Sequence, residues 1–148
     1  MRIHVSQRID RSCNDVFDFI GTQHFDNHPR WDDSIVEIRR LDEGAIGVGS
    51  LAAVRRRRAS PDEVIEVLEF DPPRRFKAQD NIGPFLVRFT CDIEAIGPTA
   101  SVLSLSSDTR ASGAARLFLP VLRPVFRNQM RKSLDRIKTM VERPGGLQ

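Results

Sequence analysis

The sequence predicts an α+β fold: a curved antiparallel sheet of about seven strands wrapped around a long C-terminal helix, with two short helices after strand 1. Three observations carry this. Apolar residues alternate with polar ones at period two near the start and again over 34–109. A capped, apolar-faced stretch interrupts them at 12–30. From about residue 114 to 142 the period changes to three or four, one helical stripe. A sheet with one apolar face needs a cover, and only the C-terminal helix is long enough to supply it.

Strand 1 is expected within 1–9, where Ile3, Val5 and Gln7 oppose His4, Ser6 and Arg8. In "DRSCNDVFDFIG" Ser12 can cap a helix, and Asp15 gives a box-like start. Val16, Phe17, Phe19 and Ile20 form the apolar face, and Gly21 is expected to stop this helix. Residues 22–30 add another helical turn before Pro29. In "SIVEIRRL" Ile35 and Val36 face opposite sides, and "GAIGVGS" (44–50) is a tight glycine turn leading into "SLAAVRRRR". "SPDE" and "DPP" turn the chain into and out of "VIEVLEF". "GPFLVRFTCDIEAIGP" is the clearest strand: Phe85, Val87, Phe89, Cys91, Ile93 and Ala95 on one face, Leu86, Arg88, Thr90, Asp92 and Glu94 on the other. Leu103 and Leu105 mark the inward face of the next. Phe118, Leu122, Phe126, Met130, Leu134, Ile137 and Val141 form the helical stripe. Pro120 and Pro124 should kink the helix or delay its regular part to about residue 123, and "RPGG" should end it.

The 148 residues suit one domain over 1–148, large enough to bury a core without staples. No apolar run reaches the ~20 residues of a membrane helix. The alternating start does not resemble a signal peptide, so a cytoplasmic location is the default expectation. Cys13 and Cys91 make neither a disulfide framework nor a metal spacing. The excess of 23 Lys+Arg over 20 Asp+Glu is too small to argue for nucleic acid, and no nucleic-acid partner is expected.

Taken in order, "VFDFIGTQHFDNHPRW", "GAIGVGS", "VIEVLEFDPPRRF" and "LFLPVLRPVFRNQMRKSLDRIKTMVE" resemble the START/polyketide-cyclase-like superfamily, with its helix-grip, birch-pollen-allergen-like fold. The likeness is to its bacterial branch more than to its metal-bearing oxygenases, so no cofactor is expected. The resemblance implies a cavity between sheet and helix for a lipid, polyketide or isoprenoid-like molecule. Some members cyclise or dehydrate polyketides and others bind or carry. It brings no catalytic set that transfers onto these positions, and fold does not choose among the activities.

The residues set the candidates. The cavity lining is expected from Trp31, Phe85, Val87, Phe89, Leu103, Leu105, Phe118, Leu122, Phe126 and Met130. Trp31 either packs under the helix or meets the ligand. His24 and His28 stand four apart, but Phe25 occupies the place of the zinc-protease glutamate. Pro29 disfavours a helical His28, so the two rings need not share a face. No metal site is expected there; the stretch reads as a polar surface loop or cavity rim. His24, paired with Asp26, and Asp32 and Asp33 are the first candidates for proton transfer, although adjacent aspartates on a strand point apart. In "RRRR" alternation sends Arg55 and Arg57 one way and Arg56 and Arg58 the other. Arg55 and Arg57 are the candidates for an anionic head group. Arg123, Arg127 and Arg131 form a row on the long helix, a solvent face or a docking surface for an acidic partner or anionic membrane. Leu117 and Val121 leave a homodimer open.

Overall fold

The structure is a computed structural model that describes residues 1–57 and 63–143. Arg58, the "SPDE" turn up to Asp62 and the "PGG" of the C-terminal stop lie outside the described residues. Strands β1 (Arg2–Ile9), β2 (Ile35–Arg40), β3 (Leu51–Arg56), β4 (Glu63–Asp71), β5 (Arg75–Ile82), β6 (Phe85–Gly97) and β7 (Ala100–Ala111) form one antiparallel sheet. Its order is β1-β7-β6-β5-β4-β3-β2: a six-strand meander with β1 returned to the edge of β7. Helix α1 (Cys13–Phe17), a π turn (Asp18–Thr22) and α2 (His24–Trp31) link β1 to β2. A 3₁₀ segment (Gly113–Phe118) leads from β7 into α3 (Leu119–Glu142).

Ser12 caps α1 by accepting from the Asp15 N–H at 3.2 Å. The reciprocal half of the box is not made, because the Asp15 carboxylate pairs with Arg11 at 3.0 Å. Gly21 does not stop the helix. It sits inside the π turn, where a Cβ would stand 2.8 Å from the Phe17 ring. Glycine is needed there for close packing, not for chain reversal.

Two further expectations give way to tertiary burial. His28 is helical despite Pro29, and α2 runs on to Trp31. The disfavoured geometry is offset because α2 buries His24, Phe25, His28 and Trp31 together, while Asn27 donates to the Phe19 carbonyl at 3.0 Å. Helix α3 begins at Leu119 rather than near 123. Pro120 lies in the first turn, where an N–H has no partner to lose, and Pro124 costs only the next bond.

Register orders the inward face of the sheet into rows. Val5, Leu105, Cys91 and Phe76 stand side by side across β1, β7, β6 and β5, and all are buried. Two residues along comes Ser107, Phe89, Ala78 and Val67, then Thr109, Val87, Asp80 and Ile65. Ala95 continues the pattern of β6 but is exposed beyond the core. The C-terminal half of α3 closes the core with Leu134, Ile137 and Val141; its N-terminal half buries no residue fully. The sheet rows beneath that N-terminal half therefore face a space that no core side chain fills.

Candidate functional site

That space is a cavity of about 370 Å³. Its apolar wall comes chiefly from Phe85, Val87 and Phe89 on β6, Leu105 on β7, and Phe126 and Met130 on α3. Polar groups come from His24, His28 and Asp32 at α2, Arg56 on β3 and Asp80 on β5. Of the lining expected from sequence, Trp31, Phe85, Val87, Phe89, Leu105, Phe126 and Met130 are present. Leu103 is in the core below the cavity instead. Leu122 is only half-buried and does not reach it, and Phe118 is exposed, because both lie on the part of the helical segment that overhangs the sheet.

The histidine stretch is not a surface loop. Both rings are buried and share the cavity face of α2, with centroids 4.7 Å apart. His28 stacks on Trp31 at 4.2 Å, and His24 lies 4.5 Å from the Phe76 ring. His24 does not pair with Asp26. Its Nδ1 lies 3.0 Å from the Ile20 carbonyl, which can only accept, so Nδ1 carries the proton and Nε2 is left as an acceptor. Burial holds the His24 ring neutral, reinforced by His28. His28 is also held below its ordinary value by burial, against the pull of Asp32. Its Nε2 faces the Asp32 carboxylate at 3.6 Å, a charge that favours the proton on Nε2 and an acceptor at Nδ1. No metal-binding group of three or more His, Cys, Asp or Glu occurs among the described residues.

Asp32 and Asp33 do point apart. Asp33 is exposed, pairs with Arg136 at 3.1 Å and takes no part in the cavity. Asp32 turns inward, where Ser34 Oγ donates to it at 2.6 Å. Burial would raise its pKa, but His28, Ser34 and Arg56 outweigh burial and hold the carboxylate ionised. Since His28 is itself neutral at neutral pH, it acts on Asp32 as a polar neighbour rather than as a cation.

The arginine that enters the cavity is Arg56, not Arg55 or Arg57. Arg55 pairs with Glu37 outside, and Arg57 donates to the Asp33 carbonyl, also outside. Alternation holds along β3, but the inward face belongs to the other pair: Ala52 and Val54 are buried, so Arg56 follows them inward. Each of its three nitrogens is engaged, through four of its five N–H groups. Nε meets Glu63 at 2.8 Å, Nη1 meets Asp32 at 3.1 Å and Ser34, and Nη2 meets Asp80 at 3.2 Å. Burial alone would lower its pKa; Glu63, Asp32 and Asp80 reverse that and keep it charged.

Three carboxyls around one guanidinium do not balance if all ionise. Asp80 carries the difference. Burial, then the neighbouring Glu63, pushes its pKa up to about 7. Asp80 Oδ1 and Glu63 Oε1 are also the two carboxyl oxygens of the cluster without a hydrogen-bond partner in the protein, which a proton on Asp80 would help to satisfy. A carboxyl raised from 3.8 to about 7 contributes stability below pH 4 that is lost as pH rises through 7. Asp80→Asn should therefore gain on the parent protein from pH 4 to 8, by roughly 3–4 kcal/mol. Denaturant melts across that range measure it; a gap independent of pH would show Asp80 to be an ordinary carboxylate.

Glu63, Asp80 and Arg56 were missed in the sequence, yet a signal exists. Each continues an apolar alternation: Ala52, Val54, Arg56; Glu63, Ile65, Val67; Phe76, Ala78, Asp80. A charge at the inward register of three neighbouring strands marks one buried cluster.

A family described as "Polyketide cyclase / dehydrase and lipid transport" matches residues 1–142. No curated protein matches the chain significantly. Among solved structures, truncated norcoclaurine synthase from Thalictrum flavum superposes with a TM-score of 0.73 at 15% identity, over 95% of this chain and 92% of that one. The di-domain ARO/CYC protein BexL of the BE-7585A biosynthetic pathway gives 0.75 at 16%, over 97% of this chain and 48% of its own. A START superfamily protein from Mycobacterium smegmatis gives 0.66 at 15%, covering 95% and 94%. At such identities the likeness is one of fold.

Proposed function

Because this chain belongs to the polyketide cyclase / dehydrase and lipid transport family, we propose that it binds a small molecule with an apolar body and a hydroxyl-bearing, uncharged head in the cavity under α3. The carrying observation is a lining with two characters. Phe85, Val87, Phe89, Phe126 and Met130 offer an adaptable apolar wall. Opposite in chemistry are His24 Nε2, His28 Nδ1 and Trp31 Nε1, polar atoms of lining residues with no partner in the protein. The tautomers make these two acceptors and one donor. A hydroxyl can donate to a ring nitrogen and accept from the indole; a carboxylate can only accept. A carboxylate would also approach Asp32, Glu63 and Asp80 while finding Arg56 already committed.

The reading is tested by displacing a neutral dye, Nile red, at pH 8. Decanol should displace it, and decanoate should be weaker by about tenfold or more, the scale of one misplaced buried charge-assisted contact. Failure of the protein to take up dye or decanol would remove ligand binding itself. Decanoate binding as tightly as decanol would retain the cavity but remove the uncharged head.

One observation favours a catalytic second reading of the polyketide cyclase/dehydratase kind. His28 Nδ1 is an unprotonated, unpartnered base oriented by Asp32, in the same cavity as a carboxyl that holds its proton near pH 7. A cavity of this volume argues against a third reading, a protein-interaction module whose cavity is filled by its own side chains.

A further inference from the structure

We infer that the segment from Leu117 to Arg131 is a docking face for an anionic phospholipid bilayer, formed on the outer side of the helix whose inner side walls the cavity. Leu117, Phe118, Val121 and Val125 are 78%, 59%, 72% and 57% exposed. Four large apolar side chains this open and this close in sequence form a patch, not scattered exposure. Leu117, Val121 and Val125 repeat at intervals of four, as do Arg123, Arg127 and Arg131; the two series are offset by two residues, so on α3 the apolar row and the basic row flank the exposed side from opposite edges.

Charge identifies the occupant. Between Asp108 and Asp135 the chain has six cations, Arg110, Arg116, Arg123, Arg127, Arg131 and Lys132, and no acid. All six are exposed, and none forms an ion pair among the described residues. The whole chain is net +3, so the remainder is net −3 and the net excess of positive charge lies in this segment. A second copy would bring six cations against six, which opposes self-association through this face. A bilayer with acidic head groups accepts both rows: apolar side chains enter the interface, and the long arginine side chains reach its anionic surface. The inner side chains Phe126 and Met130 would stay on the cavity, so docking and the cavity wall share one helix. This inference is independent of what the cavity holds.

Flotation with phosphatidylcholine vesicles, with and without about a third phosphatidylglycerol, tests it. The protein should float with the anionic vesicles, stay behind with the neutral ones, and detach as salt rises. Val121→Asp with Val125→Asp should abolish flotation, and Arg123→Glu with Arg127→Glu should reduce it more than about tenfold. None of these four residues lines the cavity, so both double variants should keep Nile red uptake, which reports an intact fold. Absence of flotation by the parent protein would overturn the proposal. So would flotation that the variants leave unchanged, or a stable dimer that the valine pair converts to monomer, which would assign the face to a second copy.

Discussion

Arg56→Met should cost the fold about 3–5 kcal/mol at pH 8, the largest single-site effect expected outside the hydrophobic core. The replacement keeps an apolar stem but leaves Asp32, Glu63 and Asp80 around a site without a cation. The guanidinium is nearly buried, with 14% of its side chain exposed, so water cannot take its place cheaply. The pH dependence follows from the same geometry. In the parent protein Arg56 helps hold Asp32 ionised, below the ordinary carboxylate range. Without it Asp32 and Asp80, both of which Arg56 pulls toward the ionised form, must bind protons more readily in the folded state. The variant then binds more protons folded than unfolded as acidity rises, and its deficit should shrink from pH 8 to pH 5. Urea melts at both values measure this. A deficit under 1 kcal/mol, or one that widens at pH 5, would mean that the cluster is solvated and not the buried network described.

Val87→Trp should abolish Nile red and decanol binding, raising Kd by tenfold or more, while the protein stays folded. Val87 lies in the row Thr109, Val87, Asp80 and Ile65, beneath the part of α3 that buries no residue fully. There is open space for an indole there, so overpacking strain is far smaller than in the Phe76 row. Titration of the dye against the variant measures it, with circular dichroism as the check on folding. Ser107→Phe, entering the same cavity from β7, should act likewise; if both variants fold and bind as the parent does, the ligand lies elsewhere.

The two experiments separate what the cluster and the cavity do. Arg56 organises polar groups at the cavity wall with each of its three nitrogens already bonded to them. Its loss should therefore appear first in stability. Val87 makes no polar contact, and its enlargement should appear first in binding.

Much of this was legible in the sequence because local rules and tertiary packing agreed. Alternation placed the inward residues of β6 and β7 and set Ile35 opposite Val36, since a half-buried strand allows only two faces; Asp32 turns inward from the end of α2, not from a strand. The stripe ending in Leu134, Ile137 and Val141 likewise located the core half of α3. Where local rules alone ruled, the reading failed. Pro29 disfavours helix at His28, yet burial of four neighbouring side chains outweighs that preference and brings both histidines to one wall. Gly21 reads as a stop until the Phe17 ring is seen filling the place of its side chain.

The sequence by itself determined the order of elements, their faces, most of the apolar wall of the cavity and the row of arginines on α3. These follow from periodicity and composition, which act along the chain. Only the tertiary structure decided which arginine turns inward, that Glu63 and Asp80 meet it, and that a pair of histidines is held neutral beside Trp31. Those facts depend on register between strands far apart in sequence and on the free energy of burying charge, and neither exists until the sheet closes under its helix.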